Sequence, residues 1–367
     1  MAYDQVIGCD AHKFYSVFVG LDEKARSGPP VRVEHTREAY RSYLQGLPEG
    51  TPIAVEASSG WYWLIEEMER AGHHPVLAHA RRAKLMMGLV NKTDRLDARG
   101  LARLLHSGTL PAVWIPPAEL RDQRELLRMR LHFAQTRTAI KNRIHAILAR
   151  YGILISQEVS DLFGSRGRQL LADHLGQLPL QTRGCVVQQL AVLDGVIGQI
   201  EAAEQRLREL LHPTPEIQLL STMPCVGLIL SATILLEMGD VRRFPTAAHL
   251  ASYSGLVPRV HSSGGHTRMK GVSREVNPYL KWAFIEAANL VCCQQHRLGA
   301  IHVVMLYRRL KKAKNHQKAV VAVGRHLAEA AFHILQKRVP YRPPAGKMEE
   351  ATRGELKRIS SASPELG

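Results

Sequence analysis

Two short apolar runs near the start of the chain each end on an acid: VIGCD closes on Asp10 and PIAVE on Glu56. Both runs are rich in β-branched residues and bounded by turn formers, which suits strands buried on both faces. Further on, NKTDRLDAR sets Asp94 and Asp97 three apart in a segment of helical pattern, and so on one helix face. Singly, each acid has an ordinary use: Asp10 as a strand-end turn residue, Glu56 as a surface acid, Asp94 as a helix N-cap. Jointly they constrain the chain to an α/β unit in which strand ends and a helix start converge. Two carboxylates ~4 Å apart repel by about 4 kcal/mol at an effective dielectric of ~20, so four together call for proton uptake or a cation. Magnesium, one or two ions, is the expected answer, because it takes oxygen ligands and keeps waters for substrate phosphates.

The rest of the chain is organised around this unit. Residues 4–10, 14–20, 31–35, 51–57 and 75–79 read as strands. Helices are expected from REAYRSYLQGL, from about Trp61 to Ala71, and near 80–90 and 93–106. WIPPAEL at 114–120 and HPTPEIQ at 212–218 punctuate the chain. The expected domains are therefore 1–112, a helical arm over 113–212, a mostly helical domain over 213–340, and a disordered tail over 341–367. Long helical patterns on either side of a central break in 113–212 predict an antiparallel, coiled-coil-like pair. The fold class is α/β followed by α.

A net charge of +16 favours a polyanionic partner. No apolar run approaches the ~18 residues of a membrane span, and the N-terminus has no signal pattern. Nucleic acid is therefore expected, and a membrane is not. Five cysteines without CxxC spacing predict a reduced, cytoplasmic protein, and no histidine spacing suggests a zinc site. Between Leu126 and Gln157 the basics, among them Arg128, Arg130, Arg137, Lys141 and Arg143, meet no acid. A second basic run holds Arg308, Arg309, Lys311, Lys312 and Lys314. Both are expected to contact phosphates, which positions nucleic acid without reading its sequence.

The segments GCDAHK, VEAS and KTDRLDA together resemble the DEDD-type, RuvC-like catalytic domain of bridge-RNA-guided insertion-sequence transposases. The resemblance implies a ribonuclease-H/RuvC-like N-terminal domain whose acidic tetrad is Asp10, Glu56, Asp94 and Asp97. Residues 243–288 are similar to the transposase domain that follows it in the same family. There a serine in the loop after a GLVPR-like segment attacks DNA, which places the nucleophile on Ser263, with Ser262 as the competitor. From residue types alone this stretch is a Gly-rich loop at 260–272. Gly264 and Gly265 allow close approach to a phosphate, while Arg259, Arg268 and Lys270 hold it and His261 or His266 accepts a proton. LLSTMPCVGLILSAT at 219–233 resembles a helix-hairpin-helix with Cys225 where glycine is usual.

The resemblance spans nearly the whole chain. It implies a bacterial DNA transposase, nucleoid-associated, that excises and inserts a mobile element through a covalent phosphoserine. A non-coding RNA would pair with donor and target DNA, in a dimer or tetramer whose composite sites can draw on different subunits. Two alternatives stand beside it: a magnesium-dependent junction resolvase or nuclease using water, and a catalytically inactive nucleic-acid-binding protein.

Overall fold

Alternating apolar residues along Gln5–Ala11 (β1) settle where the first core lies: Ile7 and Cys9 belong to one face of the strand, Gly8 and Asp10 to the other. The computed structural model describes residues 5–58, 60–88, 93–155, 158–211, 214–263, 266–272 and 275–343, with backbone only over 260–263 and 266–270. The tail expected beyond 341 lies almost wholly outside the described residues. Two compact units divide between Pro117 and Ala118, inside the WIPPAEL segment.

In the first unit β1 pairs antiparallel with Tyr15–Asp22 (β2), which pairs antiparallel with Val31–Glu34 (β3). On its other side β1 runs parallel to Pro52–Glu56 (β4), and β4 runs parallel to His74–Ala78 (β5). A two-residue strand, Ala112–Val113 (β6), closes the sheet antiparallel to β5, giving the order β3-β2-β1-β4-β5-β6. The four connecting helices are Arg37–Gln45 (α1), Trp61–Arg70 (α2), Ala80–Met87 (α3) and Asp94–His106 (α4).

One sheet face packs Ile7, Cys9, Phe18, Ile53 and Val55 against Tyr40 and Leu44 of α1 and Leu64, Ile65 and Met68 of α2. These two helices are also clasped by Glu67, which is 1% exposed and accepts hydrogen bonds from Arg37, Arg41 and Arg70. The other face takes α4 at very close range. A Cβ added to Gly8 would stand 2.0 Å from the Ala98 carbonyl oxygen and 2.6 Å from the Ala102 nitrogen, so only glycine lets helix and strand approach this closely.

The second unit begins with Ala118–Arg150 (α5), about 50 Å long at 1.5 Å per residue. It lies antiparallel to Leu180–Leu211 (α7), with Ser165–His174 (α6) between them in sequence. Ile144, Ile147 and Leu148 pack with Leu171, Leu178 and Val186 at one end of the pair. At the other end Leu127, Leu131, Leu207 and Leu211 share a core with Ile217, Ala232 and Leu236, so the arm is continuous with the helices beyond it. Those helices are Pro215–Leu220 (α8), Leu228–Met238 (α9), Ala247–Tyr253 (α10), Pro278–Cys293 (α11), Gln295–Leu298 (α12), His302–Ala313 (α13) and His316–Lys337 (α14). Their core is built on Leu230, Ile234, Phe284, Ala287, Val323 and Leu327. In the turn between α8 and α9, Cys225 holds φ 61°, the left-handed conformation that explains why glycine suits this position.

The expected loop at 260–272 is instead a hairpin of Pro258–Ser263 (β7) and His266–Val272 (β8). Val260, Thr267 and Val272 are the β-prone positions of the two segments, and the register pairs Ser263 with His266. Gly264 and Gly265, expected to approach phosphate, lie outside the described residues.

Candidate active site

Local geometry brings the four acids together. Gly8 lies against Ala98 of α4. Two residues along β1, about 6.7 Å, Asp10 stays on the same face. Four residues back along α4, about 6 Å, stands Asp94, with Asp97 one step before Ala98. β4 runs beside β1 with Cys9 opposite Val55, so Asp10 and Glu56 both follow at the next step. The Thr93 side chain accepts from the Leu96 amide, 3.3 Å, and so Thr93 caps α4 rather than Asp94. That leaves both aspartates in the first helical turn, where the helix dipole favours negative charge.

The four carboxylates line a cleft of about 250 Å³, with His12 and Lys84 also on its wall. Asp10 is the deepest, 8% exposed. Its carboxyl is pushed up to about 6: burial contributes most, His12 pulls it back, and the charges of Asp97, Glu56 and Asp94 raise it again. His12 Nε2 lies 3.1 Å from Asp10 Oδ2 and 3.3 Å from Asp94 Oδ2. Tyr15 donates its hydroxyl to Asp94 Oδ2 at 2.9 Å and stacks on His12 with centroids 4.7 Å apart. His12 and Tyr15 were missed by sequence reasoning. The signal for His12 was the Asp-Ala-His spacing, which continues the face of a strand past its acid.

A divalent cation fits this set. Potential ligand atoms of Asp10, His12 and Asp94 all lie within 4.8 Å of one another. The raised pKa of Asp10 reflects in part the mutual repulsion that such an ion would relieve.

Ser263 and Ser262 stand on β7 in the second unit. The register pairs Arg259 with Lys270, His261 with Arg268 and Ser263 with His266, whereas Val260 pairs with Met269 and Ser262 with Thr267. Arg259 is exposed and donates from Nε to the Gly271 carbonyl at 3.3 Å.

The expected phosphate contacts divide. Arg128 donates from Nε and Nη2 to both oxygens of Glu237, at 2.7 and 2.9 Å. Glu237 is fully buried and is also reached by Asn277 and, at 3.8 Å, by Arg124. Arg130 is bonded to Glu204 of α7. These two arginines thus serve carboxylates of their own unit, and Glu237, being buried, must be paired. Lys141 is half-buried, 3.9 Å from Asp161 and against the Phe163 ring; Arg137 is also half-buried, and Arg143 is exposed. Arg308, Arg309, Lys311, Lys312 and Lys314 are all exposed along α13 and its end.

Comparison with known proteins adds a sequence relationship to this geometry. A DEDD transposase model of the IS110 type, described as "Transposase", matches residues 7–153. A second model, described as "Transposase IS116/IS110/IS902 family", matches residues 217–302. The transposase for insertion sequence element IS1111A of Coxiella burnetii is 25% identical over 344 residues, 92% of this chain and 91% of that protein. A probable family 20 transposase of Pseudomonas aeruginosa is 23% identical, covering 84% and 90%. A pilin gene-inverting protein of Moraxella lacunata is 23% identical, covering 79% and 81%.

Proposed function

Because the chain belongs to the IS116/IS110/IS902 transposase family, we propose that it cuts and joins DNA through a carboxylate site in a RuvC-like first unit and a serine in the second. The observation that carries this reading is the convergence of Asp10, Glu56, Asp94 and Asp97 on one cleft. The strand order, three antiparallel strands followed by two parallel ones, supports the RuvC-like comparison. Asp10, Glu56, Asp94 and Asp97 would hold magnesium, which when bound supplies positive charge to activate an oxygen nucleophile and stabilise the leaving oxygen.

Ser263 is the proposed nucleophile. Alternate positions of a strand belong to one face, so the register groups Ser263 with Arg259, His261, His266, Arg268 and Lys270. Ser262 falls with Val260, Thr267 and Met269, which favours Ser263. The serine oxygen forms a bond to a backbone phosphorus as the phosphorus–deoxyribose oxygen bond breaks. The serine proton passes to His261 or His266, and the departing oxygen takes up a proton to become a free hydroxyl. Arg259, Arg268 and Lys270 hold the phosphate.

An element-encoded RNA pairing with donor and target DNA would supply sequence choice, with the exposed cations of α13, Arg143 and the half-buried Arg137 and Lys141 on the nucleic-acid backbone. Two duplexes require a dimer or tetramer with composite sites. A water-using nuclease is the second reading, favoured by one fact: all four carboxylates lie within the first unit.

The test is a covalent-adduct assay with magnesium, an element-end junction, target DNA and RNA from the flanking region. A DNA-linked peptide at Ser263, absent in Asp97→Ala, is the expected result. Cleavage without an adduct would establish the nuclease instead, and DNA binding without either reaction would leave only a binding protein.

A further inference from the structure

The turn between β1 and β2 carries His12 into the carboxylate cleft and, two residues on, holds Phe14 in solvent at 67% exposure. Among the described residues no other phenylalanine is exposed. An isolated exposed apolar residue needs no explanation, but this one is held in a fixed frame. The His12 amide donates to the Tyr15 carbonyl at 2.9 Å, closing the turn, and the His35 amide donates to the Phe14 carbonyl at 2.8 Å. The ring is therefore presented on a backbone tied from both sides.

Beside it stand one cation, Lys13, and the aromatic Tyr15, whose ring is covered by Arg32, an arginine also paired with Glu34 at 2.9 Å. Lys13 Nζ lies 5.0 Å from the Phe14 ring centroid. The Arg32 guanidinium lies 3.7 Å from the centroid of Tyr15, the ring that bonds Asp94. Aromatic rings interleaved with cations are the chemistry that holds a single nucleic-acid strand, with bases stacking on the rings and phosphates meeting the charges. Phe14 is within two backbone steps, at most about 7 Å between Cα atoms, of a residue that lines the cleft.

We propose that Phe14, flanked by Lys13, Tyr15 and Arg32, is a stacking shelf for an unpaired base of the DNA strand entering the carboxylate cleft. This rests on the reading of that cleft as the cutting site and adds a substrate feature: the strand is locally unpaired beside the scissile phosphate. DNA, rather than RNA, is the assigned occupant because the strand in the cleft is the one being cut.

The test compares binding by the full-length chain, in magnesium-free buffer, to an intact DNA duplex and to the same duplex with a short unpaired stretch. The wild type should prefer the opened duplex. Phe14→Ala should lose about 5- to 150-fold of that preference, from a stacking contribution of roughly 1–3 kcal/mol per base. Phe14→Trp should keep it, and all three proteins should bind intact duplex equally. An iodouracil placed in the unpaired stretch should crosslink to Phe14 or Tyr15. An unchanged preference in Phe14→Ala, or an equal loss on intact duplex, would overturn the proposal. So would a stronger response with an unpaired RNA stretch, or a change confined to the sedimenting mass, which would make the ring a contact between copies. Failure of the underlying cleft reading is separately visible, as a wild-type chain whose thermal stability does not respond to magnesium.

Discussion

Replacing Asp10 by asparagine should make the metal-free protein more stable, and the size and pH window of the gain follow from the cleft. The Asp10 carboxyl stands at about 6 against an ordinary value of 3.8, raised by burial first and then, against the pull of His12, by the charges of Asp97, Glu56 and Asp94. A carboxyl whose folded value lies above its unfolded one costs the fold nothing below about pH 4. Its ionisation penalty then grows as pH rises from 3.8 through about 6 and is complete above that. The gap corresponds to roughly 3 kcal/mol, reduced to about 1–3 kcal/mol by solvent on the open side of the cleft. Asparagine is nearly isosteric and can still accept from His12, so it removes the charge without leaving a hole. In urea melts with chelator at about pH 7.5, Asp10→Asn should gain about 1–3 kcal/mol over wild type, and the gain should fade below about pH 4. Magnesium should cancel or reverse the difference: at about a hundred times its Kd it adds roughly 2.7 kcal/mol to the wild type and little to the variant. A variant less stable than wild type in chelator at pH 7.5, or a wild type indifferent to magnesium, would refute the reasoning that these acids are stacked for a cation.

Gly8→Ala places a methyl group 2.0 Å from the Ala98 carbonyl oxygen, so α4 must move and carry Asp94 and Asp97 with it. It should cost about 1–3 kcal/mol in denaturant melts and abolish stabilisation by magnesium, whereas an unaltered magnesium response would show that α4 does not set the site. Glu67 is held down to about 2, mainly by Arg41 and Arg37 against the cost of burial. Its contribution is complete above its ordinary value of 4.5 and disappears as pH falls toward 2. Because its arginine partners are half exposed, Glu67→Gln should lose about 1–3 kcal/mol at neutral pH and converge with wild type between about pH 4.5 and 2, as read by acid titration of the far-UV circular dichroism. Glu237→Ala strips the buried Arg124 and the half-buried Arg128 of their carboxylate, which should cost about 3–5 kcal/mol. A loss below 1 kcal/mol in urea melts would mean that water replaces the carboxylate.

The carboxylate cluster was legible early because strand and helix periods are properties of the backbone. VIGCD and PIAVE suited short buried strands, and Asp94 and Asp97 at i, i+3 share a face wherever the segment is helical. The same rule gave the two long helices of the second unit. Partners that depend on packing were not legible. Tyr15 meets Asp94 across 79 residues and Arg128 meets Glu237 across 109. Nothing in the local sequence of RMRLHF tells a solvated arginine from one serving a buried acid, which is why Arg128 and Arg130 read as nucleic-acid contacts. The hairpin at 258–272 was within reach, since Gly-Gly is a two-residue hairpin signal, but the glycines and charges read as a loop.

What the sequence alone determined, then, are the features set within one or two turns of chain: the strands, the helices, the +16 charge and which acids can share a face. Tertiary structure decided which distant charges pair, that β1 and α4 meet backbone to backbone at Gly8, and that His12 and Tyr15 join the acids. The physical reason is range. Dihedral preferences and side-chain periodicity act between near neighbours, whereas burial makes a charge demand a partner wherever the chain can bring one.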